Sequence, residues 1–216
     1  MKKKGPSLST YPPMQGNTNA RLVKVADADF PTEYGHFRIY GFEGRSDGGD
    51  AEEFVAIAMG DLSDGRSVLA RIHSQCLTGD VFHSLRCDCR TQLELAIERV
   101  SAEGRGLIIY EPKEGRGIGL LNKLRAYALQ DAGADTVEAN ESLGFEADLR
   151  DYELAGEIFR YFGIQEVRLM SNNPKKIEAL ESTGVRVVER VPIIAPPSEP
   201  AEEYLKTKKE KMGHLI

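Results

Sequence analysis

The hydrophobic rhythm of this chain changes once, near residue 90, and that change narrows the possible folds more than any other feature of its 216 residues. Before it, short apolar runs at Arg21–Val25, Phe37–Phe42, Phe54–Met59 and Ser67–Ile72 are separated by turn clusters such as Gly44-Arg45-Ser46-Asp47-Gly48-Gly49 and Ser63-Asp64-Gly65. That is the pattern of antiparallel strands joined by turns. After it, Leu93, Ala96, Ile97 and Val100 recur at helical spacing and stop at Gly104, and Gly106–Tyr110 reads as a buried strand. A helix through Leu120, Leu124 and Ala128 ends near Gly133, and another through Leu154, Ala155, Ile158, Phe159 and Phe162 ends at Gly163. A strand at Val167–Met170, a helix at Pro174–Thr183 opened by the Asn173-Pro174 pair, and a strand at Val185–Glu189 follow. The expectation is an α+β chain of α/β-like character, with a β-rich N-terminal portion and an alternating helix/strand C-terminal portion sharing one core. Ala201–Met212 reads as a Lys/Glu-rich surface helix, and residues 1–19, rich in Pro, Ser, Gly and Asn, as a flexible tail before a single domain spanning 20–216.

Composition removes several classes of function. With 41% hydrophobic and 29% charged residues the usage is globular, and a net charge of −6 gives no overall attraction to nucleic acid or anionic lipid. The longest apolar stretches, such as Phe54–Met59 and Leu107–Tyr110, fall far short of the ~20 residues that cross a bilayer. The basic opening Met1-Lys2-Lys3-Lys4 runs into Gly, Pro and Ser instead of an apolar segment, so it is not a secretory signal and the expected address is the cytoplasm.

Three cysteines, Cys76, Cys87 and Cys89, fall in one C-x10-C-x-C window. Thiolates so close suit Zn²⁺, and three protein ligands leave one tetrahedral position for water. The alternatives are a closed structural site with His73 or His83 as fourth ligand, and three buried reduced thiols. Glu114-Gly115-Arg116-Gly117-Ile118-Gly119 sits between a strand and a helix, where backbone N–H groups can cradle an anion; it also reads as a simple glycine-rich turn. Ser171-Asn172-Asn173-Pro174-Lys175-Lys176 admits a phosphate contact or plain helix capping. Asp148 and Arg150 admit a cap with a solvated Arg, and Tyr127 admits core packing.

Taken together, Arg71–Leu93 (RIHSQCLTGDVFHSLRCDCRTQL), Glu114–Asn140, Leu143–Tyr152 and Ser171–Leu180 closely resemble the GTP cyclohydrolase II family, in the family's order and spacing, from about Ala20 to Ile216. The resemblance implies hydrolysis of GTP to 2,5-diamino-6-(5-phosphoribosylamino)pyrimidin-4(3H)-one, formate and pyrophosphate, the opening step of riboflavin biosynthesis. It implies one catalytic Zn²⁺ on Cys76, Cys87 and Cys89, Mg²⁺ with the GTP phosphates, and a homodimer. It places Arg71, Ile72, His73, Ser74, Gln75, Gln92, Glu114, Gly115, Arg116, Thr136, Ser171 and Lys176 around GTP. Asp148 becomes a proton acceptor, Arg150 a nucleophile or a stabiliser of charge, and Tyr127 a catalytic residue of the active-site helix. Gln75 stands where family members commonly carry Glu, His83 where they carry a small residue, and Ser171 where Thr is frequent.

Overall fold

The computed structural model describes residues 21–46, 50–146, 148–196, 206, 207, 209, 210, 213 and 215. The tail expected at 1–19 lies outside the described residues, as does most of the helix expected at Ala201–Met212, of which Lys206, Thr207, Lys209 and Glu210 are helical.

Seven strands form one mixed sheet, and its two halves correspond to the two rhythms of the sequence. Strands β1 (Leu22–Thr32), β2 (Gly35–Arg45) and β3 (Ala51–Met59) make an antiparallel meander. Pro31 lies on β1, the edge strand, where a missing N–H is tolerated. Next come β4 (Val68–Ser74), a short helix α1 (Leu77–Asp80), α2 (Cys89–Glu103) and β5 (Gly106–Glu111). β5 inserts between β3 and β4, antiparallel to the first and parallel to the second. Helices α3 (Leu120–Asp131), α4 (Thr136–Ser142) and α5 (Glu153–Tyr161) lead to β6 (Glu166–Met170) on the far side of β4, and α6 (Pro174–Ser182) leads to the other edge strand, β7 (Arg186–Val191). The order is β1-β2-β3-β5-β4-β6-β7.

The central strands are apolar on both faces because helices cover both. Val68, Ala70 and Ile72 of β4 and Leu107 and Ile109 of β5 pack with Leu154, Ile158 and Phe159 of α5 and Leu180 of α6. Leu69 and Ile108, one residue out of phase, turn to Ala96 and Val100 of α2. One sheet thus serves two helical layers, and the expected shared core is found.

The elements differ from expectation where polar residues mask a rhythm. β1 runs to Thr32 instead of stopping near Val25, because Asp27 is held by Lys24 and Arg38 along the ladder. α1 is four residues long, too short for periodicity to register. α4 carries little apolar content, yet its start is written in the sequence: Asp135 accepts from the backbone N–H groups of Val137 and Glu138, and the Glu138 carboxylate accepts from the Asp135 N–H.

Candidate active site

β4 leads through α2 to β5 on one side, and β5 leads through α3, α4 and α5 back past β4 to β6 on its other side, so the strand order reverses at β4. In open α/β sheets, ligands bind outside the carboxyl ends of strands at such a point. Here β4 ends at Ser74 and β5 at Glu111, paired in register, and a cleft lined by Ser74 opens beside them.

One wall of the cleft carries the cysteines. Cys76 precedes α1, Cys87 lies before α2 and Cys89 begins it, so the α1–α2 connection folds all three onto one point. Their sulfurs lie within 4.8 Å of one another, with Cys76 and Cys87 at 3.6 Å. Tetrahedral thiolates on Zn²⁺, at Zn–S ~2.3 Å, sit ~3.8 Å apart. Space is kept by Gly79: a Cβ there would stand 2.9 Å from Cys87 Sγ and 3.1 Å from Cys76 Sγ. The donor set and its spacing fit a metal ion.

Charge at the cluster is uneven. Hydrogen bonds from the Cys87 and Cys89 thiols, helped by Lys123, hold Cys76 well below the usual thiol range. Sharing its proton with Cys76 pushes Cys87 up to about 11, and Cys89 rises for the same reason. Lys123 Nζ donates to Cys76 Sγ at 3.1 Å and to Glu114 Oε1 at 2.7 Å. Burial opposes its charge, but Cys76 and Glu114 outweigh burial and raise its pKa.

Neither histidine closes the cluster. His73 is buried, with Nε2 3.1 Å from Asp80 Oδ1 and its ring stacked on Tyr110. His83 is exposed against Arg90. Among the described residues the three thiols are the only such metal-binding group.

A second wall holds Arg150, carried by the segment that begins at Asp148. Arg150 Nε and Nη2 donate to the two Asp148 oxygens at 2.8 and 2.6 Å, and Nη1 donates to Ser74 Oγ at 3.1 Å. Burial works against the Arg150 charge, but Asp148 more than compensates and the guanidinium pKa is raised; reciprocally, Arg150 holds Asp148 below the usual carboxylate range despite burial. The capping alternative for Asp148 does not describe this geometry, since α5 starts five residues later with Tyr152 at its N-cap and no side-chain cap bond.

Between the walls runs the Glu114–Gly117 turn, with Gly115 and Arg116 both left-handed at φ 61° and 63°. The turn ties the walls together: Glu114 Oε2 accepts from the Leu77 N–H at 2.6 Å and Oε1 takes Lys123 and the Gly115 N–H, while Arg116 O accepts from the Leu149 N–H at 3.1 Å. Tyr127 also faces the cleft, its hydroxyl 3.2 Å from Thr78 Oγ1, with Arg86 4.9 Å above its ring; burial raises its pKa.

Of the residues expected at the site, Ser74, Gln75, the three cysteines, Glu114, Gly115, Arg116, Tyr127, Thr136 and Arg150 line this cleft. Asp148 stands immediately behind Arg150. Arg71, Ile72, His73, Gln92, Ser171 and Lys176 do not line it and are buried in the surrounding structure. Arg71 donates to Met170 O and Gln92 Oε1, and Gln92 in turn donates to Asp88. Ser171 Oγ accepts from the Asn173 N–H, and Lys176 donates to Ile72 O at 2.9 Å. Burial lowers the Lys176 pKa to about 7.

Sequence reasoning missed Lys123, Gly79, Asp80 and Glu111. Lys123 lies four residues before Tyr127, a same-face spacing that was available to find it. Gly79 lies inside the cysteine window. Asp80, which accepts from the Cys76 N–H four residues back and from the Tyr110 hydroxyl, and Glu111, which accepts from Ser74, carry no pattern, because Tyr110 and Ser74 lie thirty or more residues away from them in the chain.

Residues 23–192 match the family model for GTP cyclohydrolase II. Curated relatives named GTP cyclohydrolase-2 include proteins from Shigella boydii and Escherichia coli, each 54% identical over 91% of this chain and 98% of their own. One from Actinobacillus succinogenes is 53% identical over 91% of this chain and 89% of its own. Among solved structures, a two-domain 3,4-dihydroxy-2-butanone 4-phosphate synthase from A. baumannii overlays at a TM-score of 0.46 and 16% identity, over 81% of this chain and 41% of that one. The family match spans most of the sequence and the relatives are more than half identical over nearly their whole length, so this chain belongs to the GTP cyclohydrolase II family.

Proposed function

We propose that the chain hydrolyses GTP at two positions in one cleft, opening the guanine imidazole ring at C8 with release of formate and releasing pyrophosphate, to give the pyrimidine that begins riboflavin biosynthesis. The observation that carries this reading is the meeting, in a single cleft, of a three-thiol cluster on one wall and the Arg150 guanidinium on the other. Guanine C8 resists bulk water, so the reaction calls for a strong nucleophile there, while loss of pyrophosphate calls for fixed positive charge. Zn²⁺ on Cys76, Cys87 and Cys89 supplies activated water when bound, and Mg²⁺ accompanies the GTP phosphates. The reactive unit is residues 20–216, acting as a homodimer in the cytoplasm.

The chain's own residues divide the remaining work. Lys123 lies against Cys76 and stabilises its thiolate. Tyr127, kept protonated by burial, offers its hydroxyl near the thiol wall. Arg150 is assigned to stabilising charge that develops at the α-phosphorus. Attack by its nitrogen would need a neutral guanidine, and Asp148 drives the equilibrium the other way. Asp148, with both oxygens on Arg150, holds that charge and aims it. The Glu114–Gly117 turn and Thr136 at the start of α4 border the space left for the nucleotide.

The test is incubation of purified protein with GTP, Mg²⁺ and Zn²⁺, with formate, pyrophosphate and the pyrimidine identified by coupled assay and mass spectrometry. Stoichiometric appearance of all three, and strong preference over ATP, is expected, because buried polar groups placed for one base are left unpaired by the other. Equal turnover of both nucleotides, or tight GTP binding with no product, overturns the reading.

A further inference from the structure

One buried acid at the head of the cleft has no part in the reaction as assigned above. Glu111 ends β5, is 1% exposed, and its Oε2 has no hydrogen-bond partner. Burial raises its pKa against the opposing pull of Lys176, Ser74, Arg150 and Lys113. For the fold, the unpaired Oε2 is a cost, since a buried acceptor left without a hydrogen bond is destabilising. What Glu111 does have is Ser74 directly opposite in the parallel ladder, and the Ser74 hydroxyl donates to Glu111 Oε1 at 2.5 Å.

A serine hydroxyl has one proton to give and lone pairs to receive with. Once its proton is committed to Glu111, Ser74 Oγ is fixed as an acceptor, and the donor it receives from is Arg150 Nη1 at 3.1 Å. This contact differs in kind from the Asp148 pair. Asp148 is two residues from Arg150 on the same loop, so their paired bonds move with the loop. Ser74 belongs to β4, so its bond ties the guanidinium directly to the sheet. We propose that Glu111 is a positioning residue for Arg150, acting through the Ser74 hydroxyl to anchor the guanidinium to the ends of the central strands. The inference rests on the role given to Arg150 above, and deepens it.

The variants are Glu111→Leu, Ser74→Ala, the two combined, and Glu111→Gln. Glu111→Leu fills the same space and removes the acceptor; thermal stability should fall, because the buried Lys176 and its neighbours Arg150 and Lys113 lose a counter-charge. In the molecules that fold, the rate of pyrophosphate release should fall roughly 10- to 100-fold, as expected for a displaced catalytic group, with KM within about threefold of the parent. Glu111→Gln keeps a carbonyl oxygen for Ser74 and should restore most of the rate. Because the effect passes through Ser74, the double variant should be no slower than Ser74→Ala alone. A second readout needs no turnover: in NMR spectra of the ligand-free protein, the Arg150 Nη protons should be restrained in the parent and in Glu111→Gln, and rotationally averaged in Glu111→Leu and Ser74→Ala. Multiplying rate losses in the double variant, or an unchanged Arg150 signal in Glu111→Leu, overturns the proposal. If Glu111→Leu fails to fold, the Arg150 signal in Glu111→Gln and Ser74→Ala decides. A parent protein that releases no pyrophosphate refutes the proposed reaction, and the NMR comparison still decides on Glu111.

Discussion

Replacing Gly79 by alanine should weaken metal binding while leaving the metal-free fold nearly intact. Gly79 sits inside α1 with no left-handed backbone requirement, so the substitution is a question of space alone. The new Cβ would stand 2.9 Å from Cys87 Sγ, 3.1 Å from Cys76 Sγ and 3.2 Å from Cys89 Cβ, several tenths of an ångström inside ordinary contact. Without metal, the two thiols can rotate away from the methyl group. With metal, all three sulfurs are pinned ~3.8 Å apart around one ion and cannot yield. Overpacking of this kind costs about 1–3 kcal/mol. Because the metal-free state escapes the two sulfur contacts and keeps only the milder one to Cys89 Cβ, most of the penalty should fall on affinity, a loss of up to roughly 5- to 160-fold at 1.36 kcal/mol per decade. Competition for Zn²⁺ against a chromophoric chelator measures the first quantity, and thermal melting of the metal-free protein the second. Unchanged affinity, or an equal loss of stability with and without metal, would refute the argument.

Cys87→Ser should lower zinc content below one per chain and abolish formate, as measured by elemental analysis and a formate-coupled assay. Arg150→Ala should cut pyrophosphate release by ~10²-fold or more and leave zinc content unchanged, which separates the two walls of the cleft. The buried Lys176 has a folded pKa of about 7 against an ordinary 10.5. Between those values the unfolded chain binds more protons, so stability should rise with pH across that window. Lys176→Met should flatten that rise in urea titrations from pH 7 to about 10. Asp135→Ala should remove the α4 capping box and lower stability by about 1 kcal/mol in the same titration.

The two-part architecture could be read from the sequence because its strands and helices differ in period, and Gly104 and Asn173-Pro174 mark helix ends locally. Insertion of β5 between β3 and β4 could not. Val55 and Tyr110 pair across the sheet, and no local pattern records a partner so far along the chain. The same division holds in the cleft. The cysteines announce themselves by spacing, and the Glu114–Gly117 turn by its glycines. Glu111 and Asp80 are ordinary acids until the fold gives them Ser74 and the Tyr110 hydroxyl. Arg150 lies between these cases: Asp148 is visible beside it in sequence, whereas its anchor on Ser74 exists only once β4 and the loop have met.

The late arrival of β5 also sets a schedule for the nascent chain. β1, β2 and β3 can pair as soon as they leave the ribosome, but the open edge of β3 finds its partner only when β5 has been made, about fifty residues later. At ~5–20 residues per second, that edge stays uncovered for roughly 3–10 s of synthesis. Over that interval Phe54, Ala56 and Ala58, buried in the finished protein, have no core to enter, and the strand that carries them is free to pair with another chain. Slowing translation across α2 should therefore raise aggregation in the cell without altering the stability of the molecules that do fold.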